Sequence, residues 1–232
     1  MTSLLELLET SHPVLPGLLL ALLAGLMLIF VWSPVAQLIA HWRLHSLVNK
    51  LGRAALRHQY VPDGLDDVIY VEQLLLRQDR LLLITIKPFR GNIFAAEQID
   101  QWTQVIGHHS YKFPNPLHQL QSDLQALRGV IRNIQIDGMV VFAKGSQFPK
   151  GKPSNVLAYQ DLKTYAPDST DEVKPHLQEA WNSLLASAKP AKEMQQSILF
   201  RKGDKRRLFI GCLLAVATVF YALWYLGIVE MS

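Results

Sequence analysis

Charge is confined to the middle of this chain. All 23 Lys and Arg of its 232 residues lie between Arg43 and Arg207. The 42 residues before Arg43 carry only Glu6 and Glu9 as charged groups, and the 25 after Arg207 carry only Glu230. Two uncharged apolar runs lie in these ends. Residues 14–32 form 19 residues without a charge, roughly 28 Å as a helix, close to the ~30 Å of bilayer hydrocarbon. The uncharged sequence continues to Ala40, so this helix can extend or tilt. Residues 208–229 are a second run of 22, roughly 33 Å as a helix. Within lipid a single segment satisfies its backbone only as a helix, so both runs are expected to be membrane-spanning helices.

Buried core helices and, for the first run, a cleaved signal peptide are the competing readings. A signal peptide needs a basic leader, and residues 1–11 contain no basic residue. Trp32, Trp42, Trp224 and Tyr225 lie near the span ends, as interfacial aromatic side chains do. Arg43, Lys50 and Arg53 follow the first run, and Arg201, Lys202, Lys205, Arg206 and Arg207 precede the second. Basic residues stay on the cytoplasmic side. The expected organisation is therefore an outward N-terminus (1–13), a first span (14–40), a cytoplasmic domain (41–207), a second span (208–229) and an outward C-terminus (230–232). In a bacterium this is a two-pass inner-membrane protein, partnered first by the lipid bilayer. The single Cys212 falls in the second span and allows no disulfide within one chain.

The middle segment alternates helical and strand patterns and is expected to be one α/β domain with a mixed sheet flanked by helices. Residues 42–59 have helical apolar spacing at Leu44, Leu47, Val48, Leu51, Ala55 and Leu56, and residues 61–67 read as a turn. Val68–Leu76 and Leu81–Lys87 read as strands joined by a short polar turn, the second apolar on both faces and hence central. Further strands are expected at 92–95, 139–144 and 155–159. Pro116–Val130 is an amphipathic helix with Leu117, Leu120, Leu124 and Leu127 on one stripe. A last helix is expected over 174–188, followed by a linker at 189–196.

Polar residues interrupt the two central strands. Glu72 breaks the first, and Lys87 ends the second two residues after Thr85. A carboxylate and a lysine converging there suit a divalent cation and a phosphate. Downstream lie Gly91, the segment Trp102-Thr103-Gln104, and Asn115-Pro116 followed by Gln119. This order resembles the nuclease-related domain (NERD), a branch of the PD-(D/E)xK restriction-endonuclease-like fold. Its pattern is an Ile-Asp-His strand, a strand ending in Glu-x-Lys, a Trp-Thr-Gln segment and an Asn-Pro-x-x-Gln helix. Over about residues 50–165 the resemblance lays Glu72 on the Asp, Thr85 on the Glu and Lys87 on the Lys. Asn115, Pro116 and Gln119 match the helix motif, and 139–142 a later core strand.

The departures bear on chemistry. The resemblance implies catalytic positions Glu72, Thr85, Lys87 and Gln119, but Thr85 is neutral where the family has a carboxylate. The acidic residue often found in the first helix of this fold has no equivalent near Gly52. One carboxylate holds Mg²⁺ weakly, since charge neutralisation is the main contribution to binding. Asp123, four residues after Gln119 on the same helix face, is the candidate substitute ligand beside Glu72. Two functions follow. One is a catalytically degenerate NERD protein serving as a binding or scaffolding module for membrane or cytoplasmic proteins. The other is a weak nuclease using Mg²⁺ or Mn²⁺ on DNA or RNA.

Plainer roles compete at each position. Glu72 and Lys87 can pair across strands, Asn115 can simply start a helix, and Gln119 can brace the sheet. His108-His109 is expected to be a polar loop, and residues 145–152 a loop rather than a phosphate-binding one, since Pro153 stands where a Ser or Thr is required. The middle segment carries a net charge of +7, but without the eight Lys and Arg beside the spans its body carries −1. That argues against a strongly basic nucleic-acid surface.

Overall fold

The computed structural model describes residues 14–62, 68–165, 172–191 and 202–225. The chain divides into two units, residues 1–39 with 197–232, and residues 40–196. The expected termini 1–13 and 230–232, and the last residues of the expected second span, lie outside the described residues.

In the first unit, helix α1 (Val14–Asn49) begins where the first apolar run begins and continues beyond the unit to Asn49. The stretch Gly17–Asn49 is long and apolar enough to cross a membrane, by length and composition. Leu18, Leu22, Leu28, Ile29 and Trp32 are exposed along it, more apolar surface than a water-soluble helix normally shows. Pro34 lies inside the helix. The described part of the second run belongs to helix α4 (Lys202–Tyr225), whose apolar stretch among these residues is Phe209–Leu223. Arg207 Nη1 donates to Ser33 Oγ at 3.3 Å, and a Cβ on Gly211 would lie 2.6 Å from Val31 Cγ2. These contacts run in opposite senses along the two helices, so α1 and α4 pack antiparallel, with Gly211 permitting the approach.

The second unit is mixed α/β with two mixed sheets. The larger has strand order β10-β1-β2-β3-β7-β9, with β1 (Ala54–Pro62), β2 (Val68–Leu76), β3 (Leu81–Lys87), β7 (Ile136–Phe142), β9 (Val156–Ala158) and β10 (Lys189–Pro190). The smaller has order β6-β5-β4-β8, with β4 (Gly91–Phe94), β5 (Gln101–Ile106), β6 (His109–Pro114) and β8 (Ser146–Gln147). Helices α2 (Pro116–Val130) and α3 (Pro175–Ser187) complete it.

Strand β3 is central, as its doubly apolar sequence implies. It pairs antiparallel with β2 and parallel with β7. Leu81 and Leu83 face a core with Leu120, Leu124 and Leu127 of α2 and Leu177, Trp181 and Leu184 of α3. Leu82 and Ile84 face a second core with Leu44, Val48 and Leu51 at the end of α1. The long crossover from β3 to β7 carries strands β4, β5 and β6 of the smaller sheet, and α2.

Four expectations are corrected. The helix expected over 42–59 ends at Asn49, and residues from Ala54 form β1 instead. Gly52 passes so close to β2 that a Cβ there would lie 2.9 Å from Leu75 Cβ and Leu76 O. The ladder that follows runs from Ala54↔Leu76 to Pro62↔Val68. That tertiary pairing outweighs the local helical spacing. The single mixed sheet is two sheets, because residues 101–114 form a hairpin whose second strand is exposed and lacks a clear periodic signal. His109 accordingly starts β6, and only Gly107-His108 form the turn, with Gly107 at φ +58. The linker expected at 189–196 opens with β10, which pairs with Gln59 and Tyr60.

Candidate functional site

Glu72 occupies a break in the sheet. On one side, the β1–β2 ladder pairs Arg57 with Gln73 and Gln59 with Val71 but omits His58 opposite Glu72. His58 adopts φ +47, a left-handed conformation rare outside glycine. On the other side the β2–β3 ladder ends at Gln73↔Ile84. The Ile86 amide therefore takes a side-chain acceptor, donating to Glu72 Oε2 at 3.1 Å. A backbone donor near the core must find some partner, and here it is the carboxylate.

Burial, the largest influence, pushes the Glu72 carboxyl up to about 7. The Ile86 N–H and the Lys87 ammonium pull it down, and the Asp123 carboxylate pushes it further up. Asp123, on the second turn of α2, is likewise raised, mainly by burial, with the Gln119 amide and Lys87 opposing. Gln119 Nε2 donates to Asp123 Oδ1 at 2.8 Å. Two carboxylates, one ammonium and one amide from β2, β3 and α2 thus share one locality. Neighbouring carboxyls raised by burial, one of them also by the other's charge, are typical of functional sites.

Thr85 is buried on β3, two residues before Lys87 and therefore on the same strand face. Among the described residues no three His, Cys, Asp or Glu side chains are arranged to hold a metal ion. The locality offers two carboxylates and the neutral Thr85. The direct Glu72–Lys87 ion pair, one of the plainer roles, is not formed. Lys87 acts on Glu72 through space, while the carboxylate's hydrogen bond goes to Ile86.

Asn115 does more than start a helix. Its side chain accepts from the Leu117 amide as N-cap of α2, and Pro116 follows at the first helical position. Its Nδ2 donates to the carbonyls of Glu97 at 3.1 Å and Ile99 at 2.8 Å. Buried at 2 % exposure, it ties α2 to the loop between β4 and β5. Trp102 Nε1 donates to Ala96 O in the same loop. Sequence reasoning gave Asn115 a family-motif position and a capping role but not its bonds to the loop, because those carbonyls come from a segment without a pattern.

The residue 145–152 segment is a loop with the short β8 in it, and its cations are engaged elsewhere. Lys152 pairs with Asp161 at 3.3 Å, and Lys150 lies 5.7 Å from the Phe94 ring centroid.

No curated protein and no solved structure matches the chain. A family model, the nuclease-related domain, matches residues 36–143. The matched stretch runs from within α1 to the end of β7 and contains Glu72, Thr85, Lys87, Gln119 and Asp123. This chain therefore carries a nuclease-related domain, NERD, over residues 36–143.

Proposed function

We propose that this is a membrane-anchored, weak metal-dependent nuclease whose second metal-binding carboxylate has moved from Thr85 to Asp123. The observation that carries the reading is the electrostatic coupling of Asp123 to both Glu72 and Lys87. Two carboxyls raised by burial, Glu72 further by the Asp123 charge, are a donor set that a hard cation relieves. Mg²⁺ or Mn²⁺ held there would activate water and neutralise charge developing on a phosphodiester. Glu72 and Asp123 would be the ligands, Gln119 would orient Asp123 through its hydrogen bond, and Lys87 would hold the phosphate. Thr85 offers one hydroxyl in place of a charge, which keeps turnover low.

The restriction-endonuclease-like fold and the two-pass arrangement belong to the same proposal. Residues 14–40 and 208–229 are the spans, the domain between them lies in the cytoplasm, and both termini point outward at a bacterial inner membrane. The charge segregation supports this orientation.

The test is cleavage of single- and double-stranded DNA and RNA by the full chain in detergent with Mn²⁺, alongside Glu72→Gln, Lys87→Ala and Asp123→Asn. Cleavage lost in all three is expected, with Mn²⁺ binding by calorimetry weakened at least tenfold in Asp123→Asn. Cleavage and Mn²⁺ affinity unchanged in Asp123→Asn would sink the reading. The neutral, buried Thr85 favours a second reading, a degenerate domain that binds nucleic acid or another protein without cutting. In that case the wild type is inert and Thr85→Glu gains activity.

A further inference from the structure

The β5–β6 hairpin carries one face from the packed core at Phe89 out into solvent. Cross-strand pairs place Trp102 opposite Phe113, Gln104 opposite Tyr111 and Ile106 opposite His109. Side chains alternate along a strand, so these six share a face. Its inner end is packed. Trp102 is fully buried, and the Phe113 ring lies 4.3 Å from Phe89, two residues past Lys87. Its outer end is open, with Tyr111 52 % and Ile106 48 % exposed. The His109 and Tyr111 rings lie 6.4 Å apart, side by side on the edge strand, and Lys112, the next residue, is exposed on the opposite face.

We propose that this ribbon is a stacking platform for single-stranded nucleic acid, with Tyr111 and His109 taking unpaired bases beside the site. The inference rests on the nuclease reading for its class of ligand and adds which form of nucleic acid is taken and where. Charge selects the single strand. The body of the domain carries a net −1, so it releases few counterions from a duplex backbone. Affinity must then come from base stacking, which a duplex withholds and a single strand offers at every base. The inner end of the stripe packs on Phe89, two residues past Lys87 in the chain.

The test is binding of a labelled 12-nucleotide oligothymidine and of a 12-base-pair duplex by the full chain in detergent, with EDTA to silence cleavage. Single-strand preference, a salt slope shallower than about −2 in log–log form, and an affinity loss of about tenfold in Tyr111→Ala are expected. Tyr111→Phe should bind like the wild type. Equal or tighter duplex binding, or unchanged binding in Tyr111→Ala, overturns the platform. So does an assembly that Tyr111→Ala dissociates while binding is unchanged, because the ribbon then pairs two copies of the chain. The Mn²⁺ cleavage assay separates the two proposals. Cleavage with binding unmoved by Tyr111→Ala sinks only the platform, and Tyr111-dependent binding without cleavage sinks only the nuclease.

Discussion

Glu72 is the side chain on which the proposed chemistry turns, and its protonation gives the sharpest prediction. Its folded-state value of about 7 lies above the ordinary carboxylate range because burial disfavours the anion. A raised acid adds nothing unfavourable while it is protonated in both states, below about pH 4.5. Its destabilisation grows as pH rises from there to about 7 and is complete above that. Glu72→Gln keeps an acceptor for the Ile86 amide, so thermal melts should show it more stable than wild type at pH 8, by on the order of 2 kcal/mol. At pH 4.5 the melts should coincide, and equal melts at both values would contradict the burial argument. A cation needs the anion, so Mn²⁺ affinity should fall by up to about tenfold per pH unit below 7. Glu72, Thr85 and Lys87 were legible in the sequence as polar interruptions of apolar strands. That Glu72 caps a lapsed ladder was not, because the lapse is made by His58 on a strand whose sequence reads as helix.

Helix α2 holds half of the candidate site, and two contacts position it. Asn115 clamps its start, and Asn115→Ala removes both the cap and buried bonds to loop carbonyls. A loss of about 2–4 kcal/mol is expected from chemical denaturation, and a loss under about 0.5 kcal/mol would show the clamp to be slack. Gly138 on β7 lies beneath the same helix, where a Cβ would sit 2.7 Å from Leu124 Cδ1 and 3.0 Å from Leu120 Cδ1. Gly138→Val should cost about 1–3 kcal/mol by overpacking. It should also weaken Mn²⁺ binding, because Asp123 rides on the turn that is pushed. Unchanged Mn²⁺ affinity in a destabilised Gly138→Val would place Asp123 outside the metal site. The helix itself was plain from its leucine stripe. Its partner Gly138 carried no signal, since a strand glycine reads alike whether it meets solvent or a packed leucine.

For the molecule entire, the anchored arrangement proposed above predicts that the full chain sediments with membranes and resists extraction by high salt and alkali. Release by alkali would argue against spanning helices. Gly211→Leu should lower the melting temperature of the detergent-solubilised chain, since Gly211 lets α4 approach Val31 of α1; an unchanged melt would show that the approach contributes little. The first apolar run, the charge segregation, the central strand β3 and the nuclease-related motif order were all set by the sequence alone. Each depends on composition, or on spacing over a few residues, where solvent and backbone geometry impose the pattern directly. Tertiary structure alone decided that residues 54–62 are a strand, that the sheet is split in two, and that Asp123 influences Glu72 electrostatically. Those outcomes rest on contacts between segments far apart in the chain. There the hydrogen bonds and burial gained by pairing outweigh local preference, and no single stretch of sequence contains both partners.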